Sequence, residues 1–188
     1  TTVYTLTGAE ALGQSQSDTM TVTVAAPVVA NAGESKTIAA GGSAILEGSA
    51  SGGLAPYRFS WTPTEGLSDP NAAQTNATPA VTTTYTLMVT DALGQTDSDE
   101  VMVTIASPVS AEAGPDKYLA AGGSVVLQGS ASGGLEPYLY SWLPTDGLSA
   151  PATAQPTASP ATTTLYTLTV TDALGQSHSD IMTARVVP

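Results

Sequence analysis

Two neighbouring stretches alternate apolar and polar residues without a break, and together they predict a β-hairpin. Tyr85, Leu87 and Val89 interleave with Thr86, Met88 and Thr90; after the turn residues DALGQ, Val101, Val103 and Ile105 interleave with Met102 and Thr104. A period of two puts each apolar set on one face of its strand. Upstream, PYRFSW alternates the same way, placing Tyr57, Phe59 and Trp61 on one face and Arg58 and Ser60 on the other. SAILEGSAS reads as one further strand with Ala44, Leu46 and Gly48 inward, ended by Gly52-Gly53, and Lys36 to Ala40 as a short extended piece closed by Gly41-Gly42. Between these strands and the hairpin, TPTEGLSDPNAAQTNATPA predicts a crossing segment with at most short edge strands, the place where prolines are tolerated.

The whole pattern recurs with a period of 81 residues. Tyr4, Tyr85 and Tyr166 keep that spacing, as do Trp61 and Trp142, and residues 27–107 align without a gap on 108–188 at well over half their positions. In the second copy the same roles fall to Tyr138, Tyr140 and Trp142, to Val125, Leu127 and Gly129, and to the turns Gly122-Gly123 and Gly133-Gly134. Self-similarity at a fixed period marks an array of like units. The expected organisation is all-β: a sandwich over 27–107, a second over 108–188, and in 1–26 the last two strands of a preceding copy. Trp61, Trp142, Tyr85 and Tyr166 are the expected core anchors.

An isolated hairpin is marginal in water, so residues 1–26 need completion, either by strands preceding Thr1 in a longer array or by strand donation between molecules. The final repeat already contains every strand and offers no vacancy. The longer array is therefore the expectation.

Composition narrows the class further. Gly, Pro, Ser, Thr, Ala and Val are abundant, while Lys and Glu are scarce, which disfavours helices. There is no cysteine, so neither disulfides nor thiolate metal sites are available and each sandwich is held by packing. The formal net charge is −12, with Lys36, Arg58, Lys117 and Arg185 the only Lys or Arg residues. Such a field makes nucleic acid and anionic membrane poor partners and cations the natural small ones. No run is apolar enough to span a bilayer, and no leader pattern stands at the start.

The combination of NAG or AGPDK, then GGS..L.GSASGG..PY..SW.PT.GLS, then TTT.YTL.VTDALGQ..SD and a valine-rich last strand resembles the PKD and related Ig-like repeats of large bacterial surface proteins. The resemblance covers the whole chain. It implies tandem Ig-like (PKD-like) β-sandwiches and a secreted, cell-surface setting. The WDFGDG segment typical of PKD domains is replaced here by SWTPTEGLS and SWLPTDGLS, which is closer to the divergent repeats of adhesins and gliding-associated surface proteins.

Chemistry has few footholds. His178, the sole histidine, aligns with Asp97 and Gln16, so its position does not require an imidazole, and it reads as a solvent-facing loop residue. The serines lack a GxSxG setting and the glycine pairs lack a phosphate-loop lysine. No catalytic or cofactor-binding residue is expected. The carboxylates are the one substantive candidate. Asp91 and Asp172 end the penultimate strand of each repeat, Asp99 and Asp180 start the last one, and Glu112 and Asp116 lie near the second entry. Hard oxygen ligands from strand ends and entry loops could hold Ca²⁺ at a junction, which the resemblance also permits, since some PKD-like and cadherin-like domains bind calcium there. Asp in TDALGQ is equally what a turn requires for its own backbone. Weaker ideas attach to Tyr57 and Tyr138 as the floor of a glycan site, to Lys36 and Lys117 as isopeptide donors, to the sequon Asn76-Ala77-Thr78, and to O-glycans on the threonine runs at 82–84 and 162–164.

The functional expectation is a non-catalytic extracellular repeat that builds a stalk, sheath or filament with neighbouring repeats or copies of itself. The alternatives are an adhesin module that recognises a glycan or protein, and a spacer attached to a secreted hydrolase.

Overall fold

The computed structural model describes residues 1–188, which form strands and turns only. β1 (Thr2–Ala9) and β2 (Ser15–Val22) make a hairpin. One sandwich follows from β3 (Val29–Asn31), β4 (Lys36–Ile38), β5 (Ala44–Glu47), β6 (Ser49–Ser51), β7 (Arg58–Thr62), β8 (Gln74–Ala77), β9 (Thr83–Thr90) and β10 (Thr96–Ile105). Its copy comprises β11 (Ser110–Glu112), β12 (Lys117–Ala120), β13 (Val125–Val126), β14 (Ser130–Ser132), β15 (Leu139–Leu143), β16 (Thr157–Ala158), β17 (Thr164–Thr171) and β18 (Ser177–Val187).

In each sandwich one layer is a four-stranded sheet, ordered β4-β10-β9-β7 or β12-β18-β17-β15. The other layer is made by β3 on β6 and β5 on β8, or β11 on β14 and β13 on β16. All pairs are antiparallel except β4 with β10 and β12 with β18. The second and last strands of each sandwich are thus parallel neighbours.

β5 and β6 are two halves of what the sequence reads as one strand, SAILEGSAS, and the break falls at Gly48. A Cβ there would lie 2.6 Å from the Ala73 carbonyl oxygen and 2.8 Å from Cζ2 of Trp61. The indole fills the space any side chain would need. Gly129 repeats the arrangement against Ala154 and Trp142. Interiors pack too densely to yield at such a point, so the strand bends around the tryptophan.

Trp61, Tyr85, Leu87 and Val89 are fully buried in one core, and Trp142, Tyr166, Leu168 and Val170 in the other. Their polar tips are all partnered. Trp61 Nε1 donates to the Ala72 carbonyl at 2.9 Å and Trp142 Nε1 to that of Thr153 at 3.1 Å. The Tyr85 hydroxyl donates to the Glu65 carbonyl and that of Tyr166 to the Asp146 carbonyl. Burial, with a nearby acid, raises both phenol pKa values. Tyr57 and Tyr138 differ from expectation: they are only partly buried, packed against the core margin, and each hydroxyl donates to a carbonyl of the double-glycine turn, Gly52 or Gly133.

The outer edge of β7 is closed by its own crossing loop, because the Trp61 N–H donates to the Pro70 carbonyl at 2.8 Å, as Trp142 does to Pro151 at 2.9 Å. Covering an edge in this way removes it as a template for another chain's strand. The β1–β2 hairpin pairs with no other strand, and Tyr4, Leu6, Met20 and Val22 on its apolar face are exposed.

Candidate functional site

The acids that the sequence singles out fall into three separate structural settings. Asp91 and Asp172 are buried at the pole where each sandwich is entered. Asp91 Oδ2 accepts the Leu54 N–H at 2.9 Å and the Gln95 side-chain amide at 3.0 Å; Oδ1 accepts the N–H groups of Leu93 and Gln95. Asp172 holds Leu135, Leu174 and Gln176 in the same four bonds. Burial pushes these carboxyls up, but the hydrogen bonds to the charged form outweigh it and hold both below the usual aspartate value. The tight fit extends to Gly53 and Gly134, which have φ values of 56° and 61° and would put a Cβ within 2.7 and 2.5 Å of the carboxylate oxygen. Only glycine allows that approach.

The second setting lies between the layers. Alternate N–H groups of β3 and β11 point away from β6 and β14, and a short strand would leave them unpaired. Asp97 accepts the Ala30 N–H and Asp99 the Ala32 N–H, each at 2.8 Å. In the second sandwich Asp180 accepts Ala113 at 2.8 Å, and His178 Nδ1 accepts Ala111 at 3.0 Å. His178 is therefore not a loop residue: it lies within β18 and stands in for an aspartate as an acceptor. The contact requires the proton on Nε2. Asp99 and Asp180 likewise sit inside the last strand rather than at its start. Replacing Asp99 or Asp180 with alanine is expected to cost roughly 1 kcal/mol and to free the first strand. Amide exchange should accelerate at Ala32 or Ala113 with the core amides of β9 or β17 unchanged; uniform acceleration would contradict a local latch.

In the third setting Asp116 accepts the Thr183 N–H at 2.8 Å and faces Arg185 at 3.9 Å, while Glu112 is exposed on β11. No group of three or more His, Asp or Glu side chains is placed to hold a metal ion. Asp91, Asp99, Glu112, Asp116, Asp172 and Asp180 are thus not brought together. They do not meet because Asp91, Asp99, Asp116, Asp172 and Asp180 are each bonded to different backbone N–H groups, and Glu112 is exposed on β11. Lys36 pairs with Glu47 at 3.4 Å and Lys117 with Gln128 at 2.7 Å. Asn76 is exposed on β8. The surface hollows are open and shallow; one lies at the hairpin tip and one beside Arg58 and Asp91.

The carboxylate turns also capture the incoming chain. Gly53 donates to the Ala26 carbonyl and Gly134 to that of Ser107, both within 3.0 Å. Ala106, one residue earlier, donates to the Ile38 carbonyl at 2.9 Å and so belongs to the first sandwich. Adjacent residues are bonded to different sandwiches, and no free linker separates them. Sequence reading missed this junction and the glutamine of each DALGQ turn; its signal is the Asp-to-Gln spacing of four shared by both repeats.

No family model matches the sequence, and no curated protein does. Solved structures match in fold. A three-domain titin fragment, "3Ig structure of titin domains I67-I69 E-to-A mutated variant", has a TM-score of 0.56 at 14% identity, over 86% of this chain and 66% of that one. The I-band fragment I67-I69 from titin has a TM-score of 0.53 at 14% identity over 88% and 66%. Sidekick-1 immunoglobulin domains 1-4 have a TM-score of 0.52 at 13% identity over 99% and 58%. The chain therefore folds as tandem Ig-like β-sandwiches. It spans about two thirds or less of these neighbours' lengths.

Proposed function

We propose that the chain is a non-catalytic extracellular repeat, of the PKD-like type found on bacterial surfaces, that forms a stiff stalk, sheath or filament. The observation that carries this reading is the junction at Ala106 and Ser107. Domains joined by slack linkers move independently, whereas here consecutive residues are hydrogen-bonded to successive sandwiches. Stability and stiffness in such an array are sums over units and their interfaces. The parallel pairing of the second and last strands supports the same role, since tension between them shears several ladder bonds together.

Small-angle scattering on the 188-residue chain should give one narrow, elongated distance distribution. Inserting Gly-Ser-Gly-Ser between Ala106 and Ser107 should broaden and shorten it while both sandwiches remain folded. An unchanged distribution would remove the basis for a stiff junction.

The reading includes no resident metal, because the carboxylates best placed for one are occupied by N–H donors. The melting temperature is expected to be the same with chelator and with millimolar calcium; a calcium-dependent rise would reopen the junction-site idea.

A further inference from the structure

The two sandwiches differ most tellingly on one surface, the solvent side of the four-stranded sheet. Alternation assigns that side unambiguously, since Tyr166, Leu168, Met182 and Ala184 are buried on the other. On it the second sandwich carries Tyr118, Leu139, Leu143, Leu165 and Ile181, each 54 to 69% exposed. The first sandwich carries Thr37, Arg58, Thr62, Thr84 and Glu100 at the same places, all exposed. The register places these changes on neighbouring strands. Leu143 pairs with Thr167 and Thr167 with Ile181 across β15, β17 and β18, where the first sandwich has Thr62, Thr86 and Glu100. Core packing does not explain it, because none of these side chains enters the core. Several large exposed apolar side chains gathered on one sheet face mark an interaction site.

We propose that this face of the second sandwich pairs with the same face of a second copy of the chain, sheet on sheet. Charge selects the occupant. The chain has 16 acids against four Lys and Arg, so most approaches of one copy to another bring carboxylates together. On the strands of this face Ile181 replaces Glu100, and the carboxylate at its edge, Asp116, already faces Arg185 of its own chain. Area agrees. Four strands about 4.8 Å apart and some seven residues long at about 3.3 Å each offer roughly 450 Å² per copy. Both faces together then bury close to 1,000 Å², the range of weak, reversible association. A two-fold pair makes each apolar residue serve both sides. The proposal goes beyond the stalk reading, since side-by-side pairing can hold or fail whatever the stiffness of the junction.

Sedimentation equilibrium of the 188-residue chain tests it. A monomer–dimer equilibrium is expected below ~1 mM, weakened at least about tenfold by combining Leu139→Arg, Leu143→Thr and Ile181→Glu. Each replacement is the residue the first sandwich already carries there, so an unchanged melting temperature should accompany the loss. The single variant Leu165→Thr should weaken the pair by a smaller factor and serves if the triple variant misfolds. Leu6→Thr with Met20→Thr, on the exposed hairpin, should leave association as it was. The proposal is overturned by a chain that stays monomeric throughout, by a triple variant that associates like the wild type, or by association that disappears with the hairpin variant instead.

Discussion

Trp142→Ala is expected to unfold the second sandwich at temperatures where the first stays intact. The side chain is wholly buried, fills the centre of its core, and anchors the crossing loop through Nε1. Truncating such a residue removes its burial and leaves a cavity that the surrounding strands cannot close, at a cost of about 3–5 kcal/mol. That is comparable to the whole stability of a domain of this size. Gly129 cannot relax into the gap without releasing the bend that separates β13 from β14. Since each sandwich holds one tryptophan, Trp61 then reports on the first sandwich alone. Its urea transition, followed by fluorescence, should keep its midpoint, while far-ultraviolet circular dichroism shows part of the strand signal lost at lower urea. A shared shift of both signals would mean that the junction couples the two sandwiches into one cooperative unit.

The acid limb of the stability curve should belong largely to Asp91 and Asp172. Both have folded-state pKa values below the 3.8 of an unperturbed aspartate, so the unfolded chain takes up their protons first as pH falls. The stability they contribute is complete above pH ~4 and is lost as pH drops through their lower folded values. Melting temperature should therefore hold between pH 7 and 5 and decline steeply below about 4. Asp91→Asn with Asp172→Asn should lower the neutral-pH value and flatten that decline, because the neutral amide replaces an acceptor of four bonds with a group that can accept at only one oxygen. Alanine at either site should be worse, leaving the N–H groups of Leu54, Leu93 and Gln95, or their counterparts, without an acceptor. An acid profile in the asparagine double variant that overlays the wild type would show that other carboxylates govern it.

The same residues show why the site was only half legible. The aspartate of DALGQ announces a turn, since its bonds to the residues two and four places on are local. Its bond to Leu54, 37 residues away, is not. Asp99 reads equally well as a calcium ligand or a solvated charge until the fold brings the Ala32 N–H, 67 residues distant, to 2.8 Å. His178 against Asp97 shows the position to be chemically tolerant, yet only the contact explains what the two share: an unprotonated acceptor atom.

By itself the sequence determined the long alternating strands, their inward faces, the 81-residue period and the aromatic anchors. Alternation and turn residues are local and the repeat checks them twice, so each of these follows without knowledge of what packs on what. The tertiary structure decided the rest: the break at Gly48 under an indole, the inward capture of acids that looked free, the absence of slack at Ala106 and Ser107, and the gathering of Tyr118, Leu139, Leu143, Leu165 and Ile181 on one face. These residues come from four strands, and only pairing in register brings them to one face. Their meaning is non-local, because a carboxylate or an exposed leucine takes its role from neighbours that the chain supplies from far away.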